Sequence, residues 1–287
     1  MPGGWAEAFG KSLRALVCFL ALLLGAHLSF SSTYKVNDRT KIYSEQVAAD
    51  SVLLKMDNDL SIPVSVKLGI NSENLQNGNQ ATISAVIPAR TVGHVVARFK
   101  KINRSLSYKL SYSWKIVLGD VTQTPDGSYI YSYPYSKIGT YKISQGPGGA
   151  FSHQGVFAYD FLMPVGTPIL AARDGIVAMV KSDSKSGGAD RKFIDDANYI
   201  SVYHQDGTLG NYFHLNWNSA IVKEGQFVKK GEIIGYSGNT GFTSGPHLHF
   251  EVVRPNLNAD KNTFVYFHWA DEKANGSLAH LSETANH

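Results

Sequence analysis

The chain has 287 residues, 43% of them hydrophobic and 17% charged, with a formal net charge of +4. That size and balance exclude wholesale disorder and allow one large domain or two small ones. No run of Lys and Arg is dense enough for nucleic acid, and the mildly basic balance suits an anionic surface such as a cell wall or a headgroup layer.

At the N-terminus Lys11 and Arg14 precede an apolar run from Ala15 to Ala26, and small residues follow at Ser29, Ser31 and Ser32. This is the order of a secretory signal, predicted over residues 1–31 with cleavage near Ser31. The run of twelve residues falls short of the ~20 that span a bilayer. No stable membrane span is therefore expected unless the signal stays uncleaved as an anchor. Cys18 is the single cysteine and lies inside the run, so the mature chain is expected to hold none. An exported, periplasmic or cell-envelope protein without disulfides follows, and a core of this size does not need them.

Residues 33–127 read as a small β-sandwich. Tyr108, Leu110, Tyr112, Trp114, Ile116 and Leu118 alternate with Lys109, Ser111, Ser113 and Lys115, the two-residue period of a strand. Val64, Val66, Leu68 and Ile70 alternate likewise. Asn77-Gly78 is a hairpin-type turn before Ile83, Ala85 and Ile87, and 92–99 is a further strand. His94 is a lone histidine among apolar neighbours and reads as structural. Asp126-Gly127 marks the boundary.

Residues 128–256 read as a second β-rich unit. Tyr129, Tyr131, Tyr133 and Tyr135 alternate on one face, either lining a groove or packing against the first unit, the second being favoured. Short strands punctuated by glycine are expected over 167–170, 175–180, 199–204, 209–215, 226–228 and 232–237. Residues 164–177 and 223–234 are loose copies of one another, which fits a duplicated β architecture. The polar insertion 182–197 reads as a mobile loop. Residues 257–287 read as a closing segment and polar tail, with His268, His280 and His287 as bystanders. The fold class is therefore all-β.

The chemistry concentrates in 245–251, Gly-Pro-His-Leu-His-Phe-Glu. On a strand, His247, His249 and Glu251 share one face while Leu248, Phe250 and Val252 share the other. Catalytic zinc takes three His or carboxylate ligands and leaves a position for water. His153, Asp160 and His249 would supply that set, although scattered histidines often serve as hydrogen-bonded structural residues. His247 is placed to act as a base or to stabilise developing charge. His214 is the other candidate, expected on one face with Tyr212 and Asn216, opposite Phe213, Leu215 and Trp217. His204, on a face with Ile200 and Val202, reads as core or rim. Glu251 reads as an acceptor for the free N–H of a ligating histidine.

Over residues 134–253 the chain resembles the lysostaphin and LytM-like zinc endopeptidases of bacterial cell walls. The resemblance rests on Ser152-His153-Gln154-Gly155 through Tyr159-Asp160-Phe161, on Met163 to Pro168, and on Ala171 to Gly175. It continues through Tyr212-Phe213-His214-Leu215, Gly238 to Gly241, and Gly245-Pro246-His247-Leu248-His249-Phe250. It implies an open-groove β-rich peptidase domain that binds Zn2+ through His153, Asp160 and His249, with His214 and His247 as non-ligand catalytic histidines. The implied function is hydrolysis of peptidoglycan cross-links, expected of a monomer; a Gly–Gly bridge and a direct D-Ala–diaminopimelate link both fit, and the exported, cysteine-free reading points to the second. A non-enzymatic wall-binding or amidase-activating module of the same fold is the alternative. One departure stands out. His153 and Asp160 are seven apart, further than in the tightest form of the motif, which reverses their parity on a strand; a bulge or loop at Gln154-Gly155 must restore convergence.

Overall fold

The computed structural model describes residues 37–78, 81–136, 141–259 and 262–269. The predicted signal with Cys18, and His280 and His287, lie outside the described residues. Six strands come first: β1 (Thr40–Ala48), β2 (Ser51–Asn58), β3 (Val64–Glu73), β4 (Ala81–Ile87), β5 (Thr91–Lys100) and β6 (Lys109–Leu118). They form two antiparallel three-stranded sheets, β1-β2-β5 and β4-β3-β6. Val52, Leu54 and Met56 of one sheet and Val64, Val66, Leu68 and Ile70 of the other are buried in a single core. β1 and β2 escaped the sequence reading; β2 alternates cleanly in burial, but charged and polar residues interrupt it. Trp114 keeps the predicted face, opposite Leu68, yet it is 54% exposed on β6, an edge strand of its sheet.

The remaining strands are β7 (Ile130–Tyr131), β8 (Ile143–Gln145), β9 (Ala158–Leu162), β10 (Pro168–Leu170), β11 (Gly175–Lys181), β12 (Gly187–Gly188) and β13 (Tyr199–Tyr203). They continue as β14 (Leu209–Phe213), β15 (Phe227–Val228), β16 (Ile233–Tyr236), β17 (Gly241–Phe242), β18 (His247–Arg254), β19 (Thr263–Phe264) and β20 (His268–Trp269). The main sheet runs β15-β11-β13-β14-β18-β9-β8. The two loose repeats pair with each other: β10 with β16 and β11 with β15, all antiparallel. Both copies begin on the same turn, with Gly166 at φ 87° and Gly225 at φ 84°, a conformation that favours glycine. Reciprocal backbone bonds follow: Gly231 N–H donates to the Ala171 carbonyl and Ala171 N–H to the Glu232 carbonyl, while Gly225 N–H donates to the Val177 carbonyl and Val177 N–H to the Gln226 carbonyl.

One face of the main sheet carries Ile200, Val202, Tyr212, Leu248, Phe250 and Val252 into a second core. The tyrosine strip closes that core, contrary to both sequence readings. Tyr131 and Tyr133 pack on Phe267 and Trp269, and β7 pairs in parallel with β20. The first unit instead contacts the opposite face of the sheet, through Met179, Leu209 and Val253. The insertion 182–197 is not a plain loop. β12 pairs in parallel with β17, and residues 191–196 form a 3-10 helix capped by the Asp190 side chain. No helix among the described residues is long and apolar enough to cross a membrane.

Two stability predictions follow. The buried Ala172 N–H donates to the Tyr212 hydroxyl at 2.8 Å, so Tyr212→Phe strands a buried donor and is expected to cost about 1–3 kcal/mol in chemical denaturation. His204 is fully buried; its Nδ1 donates to the Asp174 carbonyl at 2.8 Å, and its Nε2 has no hydrogen-bond partner among the described residues. Burial pushes its pKa down from 6.5 to about 4. The unfolded chain then takes up a proton that the folded chain refuses. Stability from this group is complete above pH 6.5 and declines by about 3 kcal/mol as pH falls towards 4. The pH profile of unfolding free energy in His204→Gln should lack that slope; parallel profiles would refute the assignment.

Candidate metal centre

β18 is held on both sides, with His249 opposite Asp160 of β9 and Phe213 of β14. The alternation of Leu248, Phe250 and Val252 into the core leaves His247, His249 and Glu251 on the other face, as the sequence pattern requires. His153 reaches the same place from a loop rather than a strand. Its N–H donates to the Gly149 carbonyl, its carbonyl accepts from Val156, and Gly155 turns the chain at φ 68°. That turn cancels the parity reversal.

His153, Asp160 and His249 each offer one ligand atom, all within 4.8 Å of one another, and all three residues are buried. His249 Nδ1 lies 2.9 Å from Asp160 Oδ1, and His153 Nε2 lies 3.3 Å from both Asp160 Oδ2 and His249 Nδ1. The outer nitrogens are tied back. His153 Nδ1 meets the Gly146 carbonyl at 3.0 Å, and His249 Nε2 meets Glu251 Oε2 at 3.3 Å. Since those partners accept, the lone pairs of His153 Nε2 and His249 Nδ1 converge on one point. Two imidazole nitrogens and a carboxylate oxygen fit a catalytic zinc. Glu251 also accepts from Asn211 Nδ2 at 2.9 Å, and Asn211 Oδ1 accepts from the Ser201 hydroxyl at 2.7 Å. Glu251 takes the acceptor role expected of it, but Asn211 and Ser201 behind it were not foreseen, because neither residue type nor spacing marks them.

Hydrogen bonds within the cluster outweigh burial in setting its charges. Burial would lower the pKa of His249, but hydrogen bonds to Asp160 and Glu251 outweigh it and raise the value to about 9. Burial would raise that of Asp160, and the hydrogen bonds from His153 and His249 instead hold it far below the usual carboxylate range.

His214 and His247 stand beside this cluster with ring centroids 4.5 Å apart. His247 Nε2 lies 3.7 Å from Asp160 Oδ1. The predicted shared face of His214 and Tyr212 is not observed. Tyr212 points into the core opposite Phe250, and β14 ends at Phe213. His214 takes a left-handed backbone at φ 64°, which swings its ring to the site face. Its Nδ1 lies 2.7 Å from the Thr240 carbonyl, and His247 Nδ1 lies 2.8 Å from the Gly245 carbonyl. Burial, before any neighbouring charge, lowers both pKa values, that of His214 strongly. Both rings therefore rest neutral, each with its N–H at Nδ1. The insertion 182–197 braces the segment that holds them: Gly241 N–H donates to the Ser186 carbonyl and Thr243 N–H to the Gly188 carbonyl, while Thr243 Oγ1 lies 3.2 Å from His247 Nδ1. A cleft lined by Ser144, Phe151, Leu162, Gly245 and Pro246 opens beside Asp160 and His247. His94, His204 and His268 lie apart from the cluster.

A β-sheet and an adjoining loop that together gather two histidines and an aspartate, flanked by two neutral histidines, define a metallopeptidase domain of the zinc class. Residues 152–262 match peptidase family M23. The segment is 39% identical over 94 residues to the peptidoglycan DD-endopeptidase ShyA of Vibrio cholerae, covering 33% of this chain and 19% of that protein. It is 38% identical over 99 residues to lysostaphin of Staphylococcus staphylolyticus, covering 34% and 18%. The matched segment thus spans about a fifth of the length of these curated relatives. Among solved structures, the catalytic domain of lysostaphin from Staphylococcus simulans aligns at 31% identity with a TM-score of 0.34, covering 43% of this chain and 88% of that one.

Zinc binding should be linked to a proton. Below pH 9 the metal-free His249 carries a proton that an incoming ion must displace. At pH 7 binding is expected to release about one proton, and affinity to rise about tenfold per pH unit until His249 titrates. Calorimetry in two buffers of different ionisation enthalpy measures the release, and a value of zero at pH 7 would contradict the protonated state.

Proposed function

We propose that the chain is an exported zinc endopeptidase that hydrolyses the peptide cross-links of peptidoglycan. The observation that carries this reading is the complete arrangement of three converging ligand atoms with two neutral histidines beside them and a cleft alongside. His153 Nε2, Asp160 and His249 Nδ1 would hold the zinc, which supplies Lewis acidity for a nucleophilic water and the scissile carbonyl. The protein supplies the rest. Either His214 or His247 can accept the proton of the water at Nε2, since carbonyls fix the N–H at Nδ1. The ring that accepts it becomes an imidazolium and can return the proton to the leaving amine. The other ring stands beside it, 4.5 Å away between centroids, and lines the same point.

The D-Ala–diaminopimelate bond is the proposed substrate. It is supported by the similarity to a DD-endopeptidase and by the secretory signal predicted over residues 1–31, whose removal would leave a chain without cysteine. A monomer in the periplasm fits this role.

The test is muropeptide mass spectrometry on isolated sacculi, with and without a zinc chelator. Chelator-sensitive loss of cross-linked dimers is expected, and the masses of the new ends name the bond. His249→Ala should lose zinc and cleavage together. His214→Ala and His247→Ala should keep zinc while turnover falls by about 10²–10⁴. Wild-type protein that is zinc-loaded yet leaves every dimer intact would sink the reading.

A further inference from the structure

The loop from β8 to β9 contains a polar knot with no part in the peptidase chemistry above. Gln145, the last residue of β8, turns its side chain into that loop. Its Oε1 accepts from the Ser152 backbone N–H at 3.0 Å. Only the oxygen of a carboxamide can accept, so this bond fixes which way the group faces. Its NH2 then donates to Asp160 Oδ2 at 2.9 Å and to Ser152 Oγ at 2.9 Å. Around it the backbone closes on itself, with Gly149 N–H to the Gly146 carbonyl and Gly148 N–H to the Val156 carbonyl. One side chain therefore joins a ligand on β9 to the residue that precedes a ligand in the loop.

This solves the problem posed by the spacing. His153 lies outside the strand ladder that fixes Asp160 and His249, so no sheet register places it. A loop without ladder bonds opens more readily than the sheet it joins. Asp160 in turn needs a restraint against rotation of its carboxylate, and Oδ2 finds one in Gln145. We infer that Gln145 is a positioning residue for the metal centre, whose carboxamide sets the Asp160 carboxylate and the His153 loop in one geometry. The inference rests on the ligand set His153, Asp160 and His249 and is independent of the bond the enzyme cuts.

The test is zinc affinity in the full chain, measured by competition with a chromophoric chelator. Gln145→Met keeps the length of the side chain and removes its three polar contacts. Its zinc dissociation constant should rise roughly ten- to a hundredfold, the usual effect of removing a partner of a metal ligand. The absorption of the cobalt-saturated protein should change, while the melting temperature of the metal-free protein holds. Ser152→Ala leaves the bond from Gln145 to Asp160 in place and should give a smaller rise. An unchanged constant in Gln145→Met overturns the inference. So does a weaker constant with an unchanged cobalt spectrum and a lowered metal-free melting temperature, which would mark a merely structural residue. Should Gln145→Met fail to fold, an unchanged constant in Ser152→Ala overturns it. Parent protein that binds no zinc would instead refute the ligand set itself.

Discussion

Everything at the site depends on one pairing, His249 opposite Asp160 on neighbouring antiparallel strands. A slip of one residue would exchange the two faces of β18, turning the histidines into the core and Leu248 and Phe250 outwards. Burial of Leu248, Phe250 and Val252 beneath the sheet forbids that slip. At about 1.5–3 kcal/mol for each such side chain, the core outweighs any preference the polar groups could express. The chemistry is thus positioned by the residues that take no part in it.

Burying four histidines and a carboxylate in one place is costly unless each polar atom has a partner. The protein meets this with backbone carbonyls and one acid. Gly146, Thr240 and Gly245 anchor three rings, and Glu251 anchors the fourth. Each anchor takes one ring nitrogen and leaves the other facing inward. The same bonds that make burial tolerable also select the tautomer, so stability and function are set by a single group of contacts.

The site was legible in the sequence to the extent that side chains carry it. The alternation around His247 and His249 predicted their shared face, and the resemblance singled out the five residues that the fold gathers. Carbonyl anchors leave no mark on residue type, so Thr240 and Gly146 could not be read. Nor could the left-handed turn at His214, where a non-glycine residue breaks the alternation that suggested a face shared with Tyr212. For the fold, strands with uninterrupted apolar alternation such as β3 were plain, whereas β2, with Lys55 and Asp57 between its apolar residues, was not. The tyrosine strip was placed on the wrong neighbour because its partner, the segment ending at Trp269, lies far along the chain.

The cross-pairing of the two repeats bears on how the chain reaches this state. Pro168 meets Tyr236 and Gly175 meets Val228, so each copy completes the other and neither contains a hairpin of its own. Long loops must close before any of these bonds form, and chains dominated by such distant pairings fold slowly. β13 and β14 are joined by a short turn and can pair early, but the ligand on β9 and the ligand on β18 face each other only after the long stretch of chain between them has closed.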